Sequence, residues 1–373
     1  MKIGIITINS AYNYGCVLQA WSLQRYLEKE GHRALIINCR FPEIDEEYRL
    51  FVKRKRFANS GMNMIYNGLR LIKFHLTERE RIRKAKKFEN FIRRTMHTTK
   101  PFTSYKELEE QNAGEPYDVL ITGSDQVWNS SITKGLNPAY FLAFDHTEKR
   151  KISYASSIGK TELTIEEQEF FAKNLQKYSA ISVREQSAKE FLIPLVDKEI
   201  SVVADPTLLL EKSDFDTLKK PSRFHQEYLL VHIIGEDENV KKIAAAMSRT
   251  LNLPIVQNRG KKQYDGELGR FADAGPKEFI GLIEGASFVV TNSFHATLFA
   301  ILYERNFITV PHKLYPERMR YLLEQMGLSD HLVEGEAKLP EDGKILMPDY
   351  EKVKLRIRTL QENSREFLKN NLL

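Results

Sequence analysis

A histidine follows three small polar residues where an apolar run gives way to a helix-like segment. In SFVVTNSFHATLFA (287–300), the polar residues are Thr291, Asn292 and Ser293, and His295 stands in the first predicted helical turn. Exposed backbone N–H groups and the helix dipole favour an anion at such a junction. An imidazole beside a bound anion can act as a general acid. We therefore predict a catalytic role for His295, against the alternative of a structural hydrogen bond.

A second polar cluster, GSDQVWN (123–129), ends the strand-like stretch YDVLITG (117–123). Gly123 and Ser124 permit a tight turn, after which Asp125 projects from the carboxyl end of the strand. Carboxylates and amides bind diols, and an indole stacks on a sugar face; the alternative is a capping turn. The cluster predicts sugar contacts by Ser124, Asp125, Gln126, Trp128 and Asn129.

Basic side chains stand near the ends of other predicted strands. Arg184 lies at the end of the strand 180–185, beside a helix start, where an arginine commonly clamps an anion; a surface ion pair is the alternative. Arg318, in the helix that follows the strand 307–311, is a further candidate. Asn13 and Gly15, after the first strand, are predicted to line the same cleft. Their segment lacks the GxGxxG spacing of a dinucleotide site.

Alternating strands and helices must position these residues. The chain opens with a strand at 2–8, a helix to about residue 30 and a strand at 34–39, the unit of a parallel doubly wound sheet. Further strands are predicted at 117–123, 151–158, 180–185, 201–206, 227–235, 253–258, 287–291 and 307–311, with helices near 165–177, 185–193, 238–250, 276–285 and 317–326. The polar stretch 212–226 predicts a linker.

We therefore predict an α/β protein of two Rossmann-like doubly wound domains that face a central cleft, as in GT-B-type transferases. The first domain spans 1–211 and the second spans 212–345. The last segment, 346–373, is predicted to form a helix that crosses back to the first domain.

Residues 45–110 interrupt the alternation with a basic insertion that carries two predicted helices, 61–76 and 78–95. In the second helix, Ile82, Phe88 and Ile92 form part of an apolar stripe, and arginine and lysine cover the rest. One interpretation is a solvated basic face. The other is a lid or a docking surface for an anionic acceptor or for lipid head groups, which would bring the protein to the inner face of the membrane.

Composition limits the function classes. With 373 residues, 42% hydrophobic and 28% charged, the chain has the composition of a globular protein, and its net charge of +6 does not call for nucleic acid. Cys16 and Cys39 are the only cysteines, so neither a disulfide framework nor a zinc site is predicted. The apolar opening is too short for a signal peptide, which predicts a cytoplasmic protein.

The motifs, in this order, resemble those of the polysaccharide pyruvyl transferase family. The resemblance runs through YDVLITGSDQVWN, KISYASSIG, ISVREQSAKEFL, VVADPTLLL, VVTNSFHATLFAILYERNFITV and ERMRYLLEQMGL. It implies a GT-B-like fold and transfer of an enolpyruvyl group from phosphoenolpyruvate to a sugar in cell-surface polysaccharide biosynthesis. The usual product is a cyclic pyruvate ketal, formed with release of phosphate and without a metal or an organic cofactor.

The resemblance also implies roles for single residues. His295 matches the histidine of the phosphoenolpyruvate site, and Arg184 matches the arginine that contacts the same ligand. Some members carry arginine where this chain has Ser293, and Arg318 is the predicted compensation. Asn292 and Ser293 complete the predicted donor site, and Asp125 is the predicted acceptor-binding residue and candidate base. The acceptor is a sugar or a lipid-linked oligosaccharide, bound with help from Asn13, Gly15 and the cluster 123–129.

Two other functions fit the same architecture. One is a GT-B glycosyltransferase with a nucleotide-sugar donor, for which no clear pocket signature is present in the sequence. The other is a non-catalytic sugar-binding protein of the same fold.

Overall fold

Two parallel sheets organise the chain, as the alternation of apolar runs and helical stretches predicts. A computed structural model describes residues 1–42, 61–62, 64–65, 67–68, 79–111, 116–160, 162–336, 339 and 347–372. The strands are β1 (Lys2–Ile6), β2 (Arg33–Ile36), β3 (Val119–Thr122), β4 (Arg150–Ser153), β5 (Ile181–Val183), β6 (Ile200–Val202), β7 (Leu229–His232), β8 (Ile255–Gln257), β9 (Glu267–Arg270), β10 (Phe288–Thr291) and β11 (Asn306–Thr309).

Helices separate most of these strands. They are α1 (Tyr14–Lys29), α2 (Arg79–Thr95), α3 (Tyr105–Glu110), α4 (Ser130–Thr133), α5 (Ile165–Leu175), α6 (Gln186–Leu192), α7 (Lys212–Asp216), α8 (Glu238–Leu251), α9 (Pro276–Glu284), α10 (Phe294–Leu302), α11 (Glu317–Met326) and α12 (Tyr350–Leu372).

The first sheet has the order β2-β1-β3-β4, and isolated parallel bridges from β4 to β5 continue it towards the β5-β6 pair. The second sheet has the order β11-β10-β7-β8-β9. All pairings between these strands are parallel, so the strands of each sheet end at one common edge. Ligands of open α/β sheets bind at this edge. The predicted doubly wound arrangement of two α/β units is confirmed.

The last helix returns to the first sheet, as predicted. On α12, the Ser364 hydroxyl accepts a hydrogen bond of 2.9 Å from the backbone N–H of Ala204, and Arg365 donates to the carbonyl of Leu209 at 2.7 Å. Leu368, on the same helix, is buried. These contacts hold α12 against the segment that follows β6.

Two local predictions differ from the structure. Residues 212–216, predicted as the start of a linker, form α7, because Phe215 packs its ring against Trp21 and Phe299 in the core. The edge strand β9 was not predicted, since its sequence ELGR lacks an apolar run and its residues are partly or fully exposed. Short edge strands of this kind carry little hydrophobic signal.

The insertion contacts both domains. In α2, the stripe residues Ile82, Phe88 and Ile92 are buried as predicted. The Nε of Arg83 lies 3.0 Å from Asp273 of the second domain, so part of the basic face forms an ion pair across the cleft. The predicted helix 61–76 falls largely outside the described residues. Contact of the basic face with lipid head groups stays a prediction.

In the part of the chain that the structure describes, no helix combines the length and the apolar character needed to cross a membrane.

Candidate active site

The strand β10 and the helix α10 place His295 at the carboxyl edge of the second sheet. Ser293 is the N-cap of α10, and its hydroxyl accepts a hydrogen bond of 3.4 Å from the backbone N–H of Ala296. Its own N–H donates to the Thr291 hydroxyl at 3.0 Å. The small polar residues before His295 therefore build the turn that directs the imidazole towards the first domain.

The imidazole of His295 is enclosed by the first domain and is only 7% exposed. Its Nε2 lies 3.4 Å from Oδ2 of Asp205 and has no hydrogen-bond partner among the described residues. Its other nitrogen, Nδ1, lies against Gly15 at the start of α1, where an added Cβ would stand 2.0 Å from it. The ring therefore packs so closely on Gly15 that no side chain fits at this position.

Asp205 connects several groups at the centre of the site. Its Oδ2 accepts hydrogen bonds from Nη1 of Arg184 at 2.8 Å and from the Ser124 hydroxyl at 3.4 Å. Burial acts against its ionisation, but the neighbouring charge of His295, the guanidinium of Arg184 and the hydroxyl of Thr207 hold the pKa of this carboxyl well below its usual range. Asp205 is therefore a carboxylate at neutral pH.

Asp125 lies close to this group, after β3, in the left-handed conformation with a φ of 70°. The thiol of Cys16 donates to its Oδ2 at 2.9 Å, and its other oxygen makes no hydrogen bond to the described residues. Burial opposes ionisation, yet His295, Arg184 and the Cys16 thiol keep the pKa of Asp125 below its ordinary value. Burial and the Asp125 charge raise the pKa of the Cys16 thiol, which therefore remains a protonated donor.

Two arginines form a cationic pair beside the ring of Phe294. The guanidinium carbon of Arg184 lies 4.3 Å from the ring centroid, and that of Arg318 lies 5.9 Å from it. Arg184 also donates its Nε to Glu185 at 2.9 Å. Its Nη2 and the Nε of Arg318 are buried and have no hydrogen-bond partner among the described residues.

The two guanidinium groups differ in their partners, since Arg184 pairs with Glu185 and Asp205. Burial and the charge of Arg184 lower the pKa of Arg318, which nevertheless stays charged, as arginine does in proteins. Arg318 makes no ion pair with any residue that the structure describes. Both arginines border a cavity of about 170 Å³, together with Asp205 and Phe294. This geometry favours a small anion against the free N–H groups.

The structure thus brings His295, Asp125, Arg184, Ser124 and Arg318 into one region, with Gly15 against the imidazole. The side chains of the other predicted residues are occupied elsewhere. Asn292 holds both backbone groups of Ile234, Asn13 caps α1, Asn129 caps α4, and Gln126 accepts a hydrogen bond from Asn129.

Trp128 lies in the hydrophobic core. Its side chain is 1% exposed, and its Nε1–H donates to the carbonyl of Tyr140 at 3.0 Å. Its indole packs against Phe141 and Phe171, with ring centroids 5.6 and 6.0 Å away. It presents no face to a sugar in this structure, although the sequence predicted sugar stacking.

Sequence reasoning missed Asp205, Cys16 and Glu185. The tract ADP (204–206) has the form of an ordinary turn, and Cys16 and Glu185 carry no motif of their own. The only available signal was position, since Asp205 follows a predicted strand and Glu185 is next to Arg184. Within the described residues, no group of three or more His, Cys, Asp or Glu side chains is arranged to hold a metal ion.

Solved structures share this fold at low sequence identity. The glycosyltransferase AviGT4, involved in avilamycin A biosynthesis, is 10% identical with a TM-score of 0.53, over 100% of this chain and 97% of that one. The S. aureus MnaA–UDP co-structure is 11% identical with a TM-score of 0.52, over 98% and 94%. UDP-GlcNAc 2-epimerase from Neisseria meningitidis, bound to UDP-GlcNAc, is 10% identical with a TM-score of 0.51, over 100% of both chains.

These similarities support the two-domain fold and nothing more specific. No protein of curated function matches the chain significantly. The family model for polysaccharide pyruvyl transferases, in contrast, matches residues 13–313, a range that contains Asp125, Arg184, Asp205 and His295. Because this match covers most of the chain, the protein belongs to the polysaccharide pyruvyl transferase family and is a transferase.

Proposed function

We propose that the protein transfers the enolpyruvyl group of phosphoenolpyruvate to two hydroxyls of a sugar in cell-surface polysaccharide biosynthesis, forming a cyclic ketal and releasing phosphate. The observation that carries the proposal is the pair of buried arginines, Arg184 and Arg318, whose unused N–H groups lie beside Phe294, the residue before His295. Phosphoenolpyruvate carries a carboxylate and a phosphate, so it suits two adjacent cations.

The donor end of the reaction is assigned to the arginines and Ser293. Arg184 and Arg318 bind the carboxylate and phosphate of phosphoenolpyruvate, and the developing negative charge on the leaving phosphate is stabilised by the same groups. Arg318 supplies the second cation, because this chain has Ser293 where some family members carry arginine. The side chain of Asn292 supports the loop after β7, so it acts on the donor only through the shape of the turn.

His295 is assigned as the general acid. Its Nε2 faces the carboxylate of Asp205, so we assign the transferred proton to the other ring nitrogen, Nδ1. Protonation of the methylene carbon makes the central carbon of phosphoenolpyruvate electrophilic. A sugar hydroxyl then attacks that carbon.

Asp125 is assigned to the acceptor hydroxyls. One of its oxygens is held by Cys16, and the other is available to a substrate. A carboxylate held ionised is a weak base, and it accepts the proton as the new C–O bond makes the hydroxyl acidic. After the C–O bond to phosphate breaks, the second hydroxyl closes the ketal. The acceptor loses two hydroxyl protons in the reaction. One of them replaces the proton that was added to the methylene carbon, and the other leaves with phosphate.

Phosphate release tests this function directly. The purified protein is mixed with phosphoenolpyruvate and a panel of sugar acceptors, free and lipid-linked, and both phosphate and the ketal are measured. We expect release that depends on both substrates and is absent without acceptor. Turnover with a nucleotide-sugar donor alone would support a glycosyltransferase instead, and no turnover with either donor would support a sugar-binding protein.

The contact between Gly15 and His295 predicts a severe effect of one methyl group. In Gly15→Ala, the new Cβ would lie 2.0 Å from Nδ1 of His295, so the ring must move. Displacement of a catalytic group by about 1 Å can cost about 10²-fold in rate, and we expect a loss of at least that size in kcat. Gly335→Ala is the matched control, since an added Cβ there meets no atom of the described residues within 4 Å. Equal rates for the two variants would exclude this contact.

The burial of Trp128 predicts a change in stability without a change in acceptor binding. Trp128→Phe removes the hydrogen bond to the Tyr140 carbonyl and leaves unfilled volume in the core. The free energy of unfolding should fall by about 1–3 kcal/mol, measured by denaturant titration, while KM for the acceptor is unchanged. A higher acceptor KM at unchanged stability would support the sugar-stacking role that the sequence predicted.

A further inference from the structure

One carboxylate in the site is bound on both oxygens by the protein itself. Asp205 follows β6 and caps the short 3₁₀ helix Pro206–Leu209. Its Oδ1 accepts hydrogen bonds from the backbone N–H of Thr207 at 3.0 Å and from the Thr207 hydroxyl at 2.6 Å. The turn that contains Asp205 therefore fixes the orientation of its carboxylate.

The other oxygen of Asp205 faces three groups that come from distant parts of the chain. Nη1 of Arg184 lies 2.8 Å from Oδ2, and the Ser124 hydroxyl and Nε2 of His295 each lie 3.4 Å from it. Ser124 follows β3 and Arg184 follows β5, whereas His295 lies in the helix that follows β10 of the second sheet. Asp205 is 2% exposed, so this contact between the domains is shielded from water.

We propose that Asp205 is a positioning residue that holds the imidazole of His295 with Nε2–H towards its carboxylate and Nδ1 towards substrate, and that fixes Arg184 at the same time. This inference rests on the proposed function for the roles of His295 and Arg184. It goes further by assigning different roles to Asp205 and Asp125, the two carboxylates of the site.

The two carboxylates differ in how many of their oxygens already accept hydrogen bonds from the protein. Asp205 has donors on both oxygens and is enclosed, so it has no free position for a sugar hydroxyl. Among the residues that the structure describes, Asp125 has a donor on one oxygen only. Asp205 therefore acts through His295 and Arg184, whereas Asp125 is the carboxylate that meets the acceptor.

Nε2 of His295 lies 3.4 Å from the carboxylate of Asp205 but makes no hydrogen bond to the described residues. Hydrogen bonds of catalytic groups are often long or poorly aligned without substrate and tighten in the complex. The imidazole also interacts with the charge of Asp125, on which Arg184, Arg318 and the Cys16 thiol act as well. Of the two carboxylates, Asp205 is the one that lies against a ring nitrogen in the described residues, so its removal should release the ring orientation.

A double-mutant cycle tests this role. Asp205→Asn keeps the shape of the side chain and removes its charge, and we expect kcat to fall on the order of 10²-fold. In a His295→Gln background, the same substitution should lower kcat much less, because its effect through the imidazole is already lost and only its effect through Arg184 remains.

If Asp205 only stabilises the fold and does not orient His295, the kinetics of the variants should follow a different pattern. The losses in kcat from Asp205→Asn and His295→Gln would then multiply in full. That result would overturn the positioning role.

A second measurement does not depend on the donor. In ligand-free protein labelled with ¹⁵N-histidine, Asp205→Asn should change the ring ¹⁵N signals of His295, because the carboxylate beside Nε2 is lost. Unchanged ring signals would refute the inference even if phosphoenolpyruvate proves to be the donor. Altered signals, combined with no turnover on any donor, would support the inference and count against the proposed function.

Thr207→Val provides a test if Asp205→Asn does not fold. It leaves the charge of Asp205 in place and removes only the hydroxyl that anchors Oδ1. We expect kcat to fall severalfold, roughly as for the loss of one hydrogen bond, and we expect the same substitution to cause little further loss in a His295→Gln background. A loss that persists in full in that background would contradict the role assigned to Asp205.

Discussion

Replacement of His295 by glutamine is expected to lower kcat for phosphate release by about 10²–10⁴-fold, the range typical of a lost general acid. Glutamine has a similar volume and can hydrogen-bond, but it cannot deliver a proton at neutral pH. Because the proton transfer occurs in the transition state, KM for phosphoenolpyruvate should change much less than kcat. Steady-state kinetics with both substrates varied would separate the two constants.

The control for this variant is another histidine in an unrelated setting. His146 has a side chain that is 69% exposed and pairs with Glu109 on the surface, so His146→Gln should retain normal rates. Thermal unfolding of both variants would establish that the fold is intact. Near-normal turnover in His295→Gln would remove His295 from the mechanism, whatever the donor.

The second large effect is expected at Arg184, where a positive charge without the geometry of the guanidinium group should not be enough to bind the donor. Arg184→Lys keeps a positive charge but cannot reach Glu185, Asp205 and a bound anion at once, as the guanidinium fork does. Loss of one charge-assisted hydrogen bond is worth about 1.5–3 kcal/mol, which corresponds to an increase of about 10- to 100-fold in KM for phosphoenolpyruvate. KM for the acceptor should stay close to its original value and serves as the internal control.

Measurements of the free energy of unfolding provide a second test at Arg184. Arg184 is 4% exposed and pairs with two buried carboxylates, so a neutral replacement leaves buried charge without a partner. Such a loss typically costs about 3–5 kcal/mol. Arg184→Met should therefore unfold at lower denaturant than Arg184→Lys. If both variants bind phosphoenolpyruvate normally, the anion lies elsewhere and the donor assignment fails.

The fold was predictable because its signals are local. The apolar run at 288–290, the polar turn and the apolar stretch after it lie within fourteen consecutive residues, and they become β10 and α10. A buried parallel strand needs such a run, and its helix needs a cap, so composition and order suffice. The edge strand β9 escaped prediction because an exposed edge requires no such run.

The candidate site was predictable only where a side chain stands at the end of a strand. His295, Asp125 and Arg184 follow buried runs and were found in this way. Asp205 also follows a strand, but its role depends on contacts with three partners that are remote in sequence. No local sequence pattern indicates these contacts. Trp128 shows the opposite case, because an indole among polar residues suggests a sugar platform until its burial is known.

His295 and its surroundings illustrate the division between sequence and structure. The order of residue types by itself determined a helix start that favours anions, with a histidine in its first turn, because capping and dipole effects act within one turn. The tertiary structure decided which groups surround that histidine: Asp205 against Nε2, Gly15 against Nδ1, and Arg184 with Arg318 beside Phe294. These neighbours come from both domains, and only the packing of the two sheets across the cleft brings them within a few ångströms of each other.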